Sequence, residues 1–179
     1  PYYADAAAAA QGCMTQLLRS LEQIALLRQD PGVLPASIVL AALLAFAYAL
    51  TSAVQSWILY GSDRIVLRTA VDLGLSLALV WIVLTVTRRG HRFPQTASAV
   101  LGISVLVAPF VVVLLLMQGP ATTHYAVWLL ARAGAVVVTI WFIVVIGPIL
   151  RGALETGLVT GVAIALTWVI ASRAVADKL

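Results

Sequence analysis

The chain has 179 residues, of which 63% are hydrophobic and 10% are charged, and its mean hydropathy is +1.06. These values lie outside the range of soluble globular domains and indicate an integral membrane protein. The formal net charge of +4 is spread along the chain without a basic stripe interleaved with aromatic residues, so nucleic acid is not expected as a partner.

Before the first apolar segment, the sequence predicts an amphipathic helix over residues 13–29. Apolar residues recur there at spacings of three and four, with polar residues on the other side. Asp30-Pro31-Gly32 ends the pattern. Such a helix lies on the bilayer surface or docks on a partner, and its balanced charges favour docking on a protein. Residues 1–33 are therefore predicted to form a juxtamembrane segment.

Five long apolar segments follow, separated by short polar connectors. They cover residues 35–59, 66–86, 96–117, 125–146 and 156–172, and Gly147-Pro148 indicates a connector after the fourth segment. A helix of about 20 residues crosses a hydrocarbon core about 30 Å thick. The segments do not show the alternation of polar and apolar residues that a transmembrane barrel requires. We therefore expect an all-α integral membrane protein with five transmembrane helices, which form one domain over residues 34–179.

Lysine and arginine are unevenly divided between the two predicted membrane faces. The loop between the second and third spans contains Arg88, Arg89 and Arg92. The N-terminal segment adds Arg19 and Arg28 to the same face. Because an excess of basic residues marks the cytoplasmic side, we expect a cytoplasmic N-terminus and a C-terminus outside. The strong preference for arginine over lysine is typical of a bacterial protein, which places the chain in the bacterial inner membrane.

The three loop arginines have a second expected role at the membrane surface. Arg88, Arg89 and Arg92 lie where anionic phospholipid headgroups would be, and each contact of this kind contributes about 1 kcal/mol. Phospholipids, including anionic ones, are therefore expected partners of this loop.

Three ionisable residues lie inside the predicted spans, on the side opposite the basic loop. Arg68 and Asp72 are four residues apart on one face of the second span, and Arg132 lies at similar depth in the fourth. Charged groups in a bilayer are costly and often mark a site or pathway. We expect either an i,i+4 ion pair beside an Arg132 that reaches the headgroups, or a cluster of all three residues.

The sequence lacks the residues that common cofactors and catalytic sites require. His91 and His124 lie in loops at opposite ends of the third span and cannot share a haem iron or a metal ion. Cys13 is the single cysteine, which excludes a site with several thiolate ligands. The motifs of zinc proteases, serine hydrolases and phosphate-binding loops are missing. We therefore expect no cofactor and no enzymatic activity.

Small residues recur at every fourth position around the start of the fifth span. They are Ala153, Gly157, Gly161 and Ala165, and Gly157 with Gly161 forms a GxxxG motif. Helices approach closely along such a stripe, where packing replaces the hydrophobic driving force that is absent in lipid. The stripe packs either against another helix of the same chain or against a second subunit.

The basic loop and its surroundings also resemble a known family. Five spans, an amphipathic segment before the first, and the loop RRGHRFPQTASAVLG leading into the third span resemble bacterial members of the Yip1-like family. The resemblance covers most of the chain. It implies a non-enzymatic membrane protein that works through protein partners, and it assigns no functional residue.

Two functions are compatible with these features. The leading hypothesis is a non-catalytic accessory, assembly or scaffold subunit of a larger membrane protein complex, with other membrane subunits as partners. It rests on the small-residue stripe, the docking-type helix and the lack of polar residues at the membrane midplane. The alternative is a small oligomeric transporter or lipid-handling protein that uses Arg68, Asp72 and Arg132.

Overall fold

The computed structural model describes residues 37–119, 124–155 and 157–176, together with Gln23. Within these residues the chain is all-helical. The α-helices are α1 (Ile38–Tyr60), α2 (Ile65–Val86), α3 (Phe93–Met117), α4 (Tyr125–Leu154) and α5 (Leu158–Ala176), and a short 3-10 helix, Gly90–Arg92, precedes α3. The amphipathic helix predicted over residues 13–29 lies, apart from Gln23, outside the described residues.

Four of these helices are long and apolar enough to cross a membrane. α1 has 23 residues, α2 has 22, the segment formed by the 3-10 helix and α3 has 28, and α4 has 30. α5 is also apolar, but its apolar stretch is shorter and covers Leu158–Ser172. The prediction of an all-α chain with several helices of membrane-spanning length is confirmed for the described residues.

Local sequence signals mark both ends of α1 and the start of α3. Ser37 Oγ accepts a hydrogen bond from the Leu40 amide at 3.3 Å and caps α1. Gly61 ends α1 with a φ of 74°, a conformation that glycine adopts without strain. Pro94 lies in the first turn of α3, where its missing N–H would have no partner within the helix. These helices match the predicted spans to within about three residues.

The fourth helix differs from its prediction. Gly147 and Pro148, which the sequence suggested as a connector after residue 146, lie inside α4. Proline costs one backbone hydrogen bond in a helix, and α4 contains Pro148 in its second half, which is packed against α5. The predicted end at residue 146 is therefore wrong. α4 continues to Leu154 and ends at Glu155, which has a left-handed φ of 49°.

Contacts between pairs of helices connect the bundle in a ring. α1 packs against α2 and α3, α4 packs against α3 and α5, and α2 contacts α5 to complete the circuit. α2 also contacts α3 directly. All five helices therefore surround a common centre.

The apolar core fills one half of this ring, near the basic loop of residues 88–92. α3 is buried mainly in its first half and α4 mainly in its second half, and both of these halves lie at the end of the basic loop. The core includes Val80, Leu84, Val100, Ile103, Ile146 and Ile149. Side chains therefore close the bundle at that end, and the other half of the ring is left less densely filled.

Candidate binding cavity

A cavity of about 330 Å³ lies between the helices in the half of the ring away from the basic loop. Every helix from α1 to α5 contributes to its lining. Along α2 the lining extends from Arg68, near the start of the helix, to Ser76, near its middle. This distance is about 12 Å at a rise of 1.5 Å per residue. The cavity thus reaches from one end of the bundle to about mid-depth.

One wall of the cavity is polar because two helices each place polar residues at four-residue intervals. Residues spaced by four lie on the same face of a helix. α1 contributes Tyr48, Ser52 and Ser56, and α2 contributes Arg68, Asp72 and Ser76. The sequence analysis did not predict the three α1 residues as part of a site, although their spacing of four indicates a common polar face of the helix. The facing wall is largely apolar and includes Val107, Val111, Phe142 and Trp168.

Asp72 is held in this wall by hydroxyl groups from α1. Its Oδ2 atom accepts hydrogen bonds from Tyr48 Oη at 2.7 Å and from Ser52 Oγ at 2.8 Å. Tyr48 Oη also lies 3.5 Å from Ser76 Oγ, and Ser52 and Ser76 are both buried. Hydrogen bonds to a charged acceptor are stronger than those between neutral groups. The hydroxyls fix the position of the carboxyl group but, being neutral, do not cancel its charge.

Arg68 lies in the same cavity and has few partners for its N–H groups. Its guanidinium carbon is 3.6 Å from the centroid of the Tyr60 ring, which is a cation–π contact. The Nε and Nη1 atoms are buried and have no hydrogen-bond partner within the described chain. Arginine remains charged in proteins, and a buried donor without an acceptor is costly. Arg68, which lines the cavity, therefore carries two buried N–H-bearing nitrogen atoms without an acceptor among the described residues.

Arg68 and Asp72 do not form the predicted i,i+4 ion pair. Among the described residues, the ion pairs involve other side chains, and Asp72 takes its partners from α1 instead. The cavity thus contains a positive and a negative group that lie on the same helix face without being paired.

Arg132 lies apart from this pair. Its side chain is exposed on α4 and does not line the cavity. The guanidinium carbon is 5.3 Å from the centroid of the Trp128 ring, which in turn stacks on Tyr125 with 6.0 Å between centroids. This position fits an arginine that reaches the headgroup region beside aromatic residues. The structure therefore brings together two of the three predicted residues, but not Arg132.

At the other end of the bundle, the basic loop is attached to the turn between α4 and α5. Glu155 accepts hydrogen bonds from Arg89 Nη2 at 2.6 Å and from Arg92 Nη2 at 2.9 Å. Arg92 Nη1 also donates a hydrogen bond to the Gly152 carbonyl at 3.1 Å. The hydrogen bond from Arg89 lowers the pKa of Glu155 below its ordinary value of 4.5, and the charges of both arginines act in the same direction. Arg88 is exposed. Arg89 and Arg92, two of the three arginines predicted to contact headgroups, thus link the basic loop to the turn between α4 and α5.

The small-residue stripe is divided between two helices because α4 extends further than predicted. Ala153 lies in the last turn of α4, whereas Gly161 and Ala165 lie in α5, and both alanines are buried in the core. A Cβ atom on Gly161 would collide with the backbone carbonyl of Gly147 in α4. Much of the stripe therefore packs within the chain. Gly157 differs, because a Cβ atom there would have no atom of the described residues within 4 Å.

Comparisons with known proteins do not identify a family. No family model, no curated protein and no solved structure matches the chain. Among the described residues, no group of three or more His, Cys, Asp and Glu side chains is arranged to bind a metal ion. The function is therefore argued from the cavity itself.

Proposed function

We propose that this protein is a multi-pass membrane protein that binds a small charged ligand in the cavity, and that it acts as a transporter or lipid-handling protein. The observation that carries the proposal is that two nitrogen atoms of Arg68, Nε and Nη1, are buried without a hydrogen-bond partner among the described residues. Burying donors of a permanent cation is costly unless an acceptor reaches them. An anionic group of a ligand bound in the cavity would supply that acceptor.

The outer surface of the ring supports the membrane assignment. Large apolar side chains point outward on several helices and are between 66% and 83% exposed; examples are Val39, Phe46, Val66, Phe110 and Val159. A surface of this kind is unfavourable in water and is solvated in hydrocarbon. α5, with 19 residues, is about 28 Å long at 1.5 Å per residue, which is close to the thickness of the hydrocarbon core. The proposal therefore includes five membrane spans.

The orientation of these spans decides which side of the membrane the ligand approaches. The basic loop supports a cytoplasmic N-terminus in a bacterial inner membrane. The cavity lies in the half of the bundle away from that loop. On this proposal it belongs to the outer half of the membrane, and its Tyr60 end faces the outer surface.

The size of the cavity restricts the ligand. Small-molecule pockets have volumes of about 300–1,000 Å³, and the cavity of about 330 Å³ lies at the lower end of this range. It has room for a small metabolite or a lipid headgroup but not for two acyl chains. Because the wall facing the polar residues is lined by Phe142 and Trp168, the ligand is also expected to have an apolar part.

The accessory-subunit hypothesis stays a prediction, as do the Yip1-like resemblance and the protein partners that it implies. Its main sequence support was the small-residue stripe, and Gly161 and Ala165 are occupied by packing within the chain. Gly157 is exposed and remains open to a second subunit. The cavity, in contrast, is a feature that subunit packing alone does not require.

Native mass spectrometry of the protein extracted from its own membrane in mild detergent tests the proposal. Wild-type protein is expected to retain a small ligand or a lipid, and Arg68→Gln is expected to lose it. Arg132→Gln is the matched control, since it removes the same charge outside the cavity. A wild-type protein without bound ligand, or an equal occupancy in all three proteins, would contradict the proposal. A defined complex with another protein, and no ligand, would support the accessory-subunit hypothesis instead.

A further inference from the structure

We infer that the ligand of this cavity is a zwitterion, with an anionic group bound by Arg68 and a primary ammonium group bound by Asp72. The inference rests on the proposed function and names the chemical class of its ligand. It would apply equally to a phosphoethanolamine group, whether free in water or as a lipid headgroup, and to other small molecules that carry both charges.

The first step is that neither charged group has an ion-pair partner among the described residues. Arg68 contacts the neutral ring of Tyr60, and Asp72 accepts from the neutral hydroxyls of Tyr48 and Ser52. A ligand with only an anionic group would pair with Arg68 and be repelled by Asp72. A ligand with only a cationic group would pair with Asp72 and be repelled by Arg68. A zwitterion satisfies both groups at once, and the attraction is strong where water is partly excluded.

The second step is the spacing of the two groups. Residues four apart on a helix have Cβ atoms about 6 Å apart and lie along one face. Arg68 is nearer the end of α2, and Asp72 lies one turn deeper. The ligand is therefore bound with its ammonium group deep in the cavity and its anionic group toward the Tyr60 end. A phosphoethanolamine group that enters ammonium-first leaves the substituent on its phosphate at the mouth.

The third step concerns the type of ammonium group. The polar side chains hydrogen-bonded around Asp72 carry hydroxyl groups. Ser52 donates to the Asp72 carboxyl group, and Ser76 lies within reach of the Tyr48 hydroxyl. A primary ammonium has three N–H donors that such oxygens can accept. A quaternary ammonium has no N–H donor and is usually bound among aromatic rings. Aromatic rings also line the cavity, but the atoms placed to contact an ammonium group beside Asp72 are hydroxyl oxygens, so ethanolamine-type ligands are preferred over choline-type ligands at this position.

Calorimetric titration of the purified protein in nanodiscs tests the inference with defined probes. The probes are phosphoethanolamine, which carries both charges, glycerol 3-phosphate, which carries only the anion, ethanolamine, which carries only the cation, and phosphocholine. Phosphoethanolamine is expected to bind about tenfold or more tightly than each of the others. This comparison uses the wild-type protein alone, so it does not depend on the folding of a variant.

Two substitutions then assign the charges. Arg68→Gln is expected to weaken the binding of phosphoethanolamine and of glycerol 3-phosphate to a similar extent. Asp72→Asn is expected to remove the difference in affinity between phosphoethanolamine and glycerol 3-phosphate. The substitution removes both the carboxylate that binds the ammonium group and the charge that repels the anionic ligand. Arg132→Gln and Asp63→Asn are the matched controls, since Arg132 and Asp63 are exposed and lie outside the cavity lining.

The outcomes separate this inference from the proposed function. Equal binding of glycerol 3-phosphate and phosphoethanolamine, unchanged by Asp72→Asn, would overturn the zwitterion and leave the ligand-binding function intact. No binding of any probe would overturn the zwitterion, and the lack of any ligand retained from native membranes would overturn the function as well. Whether the ligand is a lipid headgroup or a free solute is decided by native mass spectrometry of the protein extracted from bilayers that mix phosphatidylethanolamine and phosphatidylglycerol. Preferential retention of the former supports a lipid headgroup, and binding of the soluble probe alone supports a solute.

Discussion

Tyr48 in α1 donates a hydrogen bond to Asp72 in α2 at 2.7 Å, and this bond links the two helices across the polar wall of the cavity. Tyr48→Phe removes the bond and keeps the ring. Hydrogen bonds between helices of membrane proteins contribute about 0.5–2 kcal/mol, because the unfolded chain in the membrane also finds partners. We expect the free energy of unfolding in detergent to fall by an amount in this range.

Tyr125→Phe is the control for this substitution, because Tyr125 is 73% exposed and its ring stacks on Trp128 without a role in the cavity. It should leave stability unchanged. Combining Tyr48→Phe with Ser52→Ala should give a non-additive loss, since both hydroxyls donate to the same oxygen of Asp72. Strict additivity would argue against a shared network.

Gly161 lies where the backbones of α4 and α5 approach closely, and replacing it should destabilise the fold. A Cβ atom there would collide with the Gly147 carbonyl and lie 3.1 Å from the Arg151 amide nitrogen, and backbone cannot easily move. Overpacking of this kind costs about 1–3 kcal/mol, so Gly161→Ala should lower the free energy of unfolding accordingly. Thermal unfolding in detergent measures the change.

Gly157→Ala is the matched control in the same stripe. In the part of the chain that the structure describes, no atom lies within 4 Å of a Cβ atom at Gly157, so the change should alter stability by about 0.5 kcal/mol or less. The larger substitution Gly157→Ile tests the accessory-subunit hypothesis. If it released a partner protein without lowering stability, the exposed part of the stripe would be an interface between subunits.

The hydropathy of the sequence is sufficient to predict the helices, but not every boundary. The apolar segments correspond to α1 through α5, because a run of about 20 apolar residues has few other stable forms in a membrane. Gly147 and Pro148 indicated a break by local rules. The structure shows a different reason for the glycine: a Cβ atom on Gly147 would lie 2.7 Å from Val162 Cγ2 in α5. Close packing between helices, which local patterns do not report, explains the residue.

The candidate site was only partly predictable for a related reason. Arg68 and Asp72 stand out because charge is rare in apolar segments, whereas the hydroxyls of α1 gain their meaning only when α1 lies beside α2. Arg132 was predicted at the same depth as Arg68, but α4 is apolar on all faces, so hydropathy does not say which face points inward. The partner of Arg89 is 66 residues away in sequence, which no local pattern reveals.

Glu155 should make stability depend on pH in the acid range. The hydrogen bond from Arg89 lowers the pKa of Glu155 in the folded protein, so its contribution to stability is fully present above the ordinary pKa of 4.5. The contribution is lost as the pH falls through the lower pKa of the folded state. We expect the melting temperature of wild type to exceed that of Glu155→Gln at pH 7, and the difference to shrink below about pH 4.

Asp63→Asn provides the comparison for Glu155→Gln. The Asp63 side chain is 86% exposed and lies 4.0 Å from Arg64, a geometry that contributes little to stability. The melting temperature of Asp63→Asn should therefore follow that of wild type across the same pH range. A difference between wild type and Glu155→Gln that persisted unchanged at low pH would show that the side chain acts through something other than its ionised carboxylate.

Cys13 allows the predicted orientation to be measured, because it is the single cysteine of the chain. With the N-terminus in the cytoplasm, a membrane-impermeant maleimide added outside intact cells should not label Cys13. The double variant Cys13→Ser, Ser62→Cys places the thiol in the exposed connector between α1 and α2 and should be labelled. Both proteins should react once the membrane is permeabilised, which controls for access. The reverse pattern would put the basic loop outside and open the cavity to the cytoplasm, so that its ligand would have to be a cytoplasmic solute or an inner-leaflet lipid.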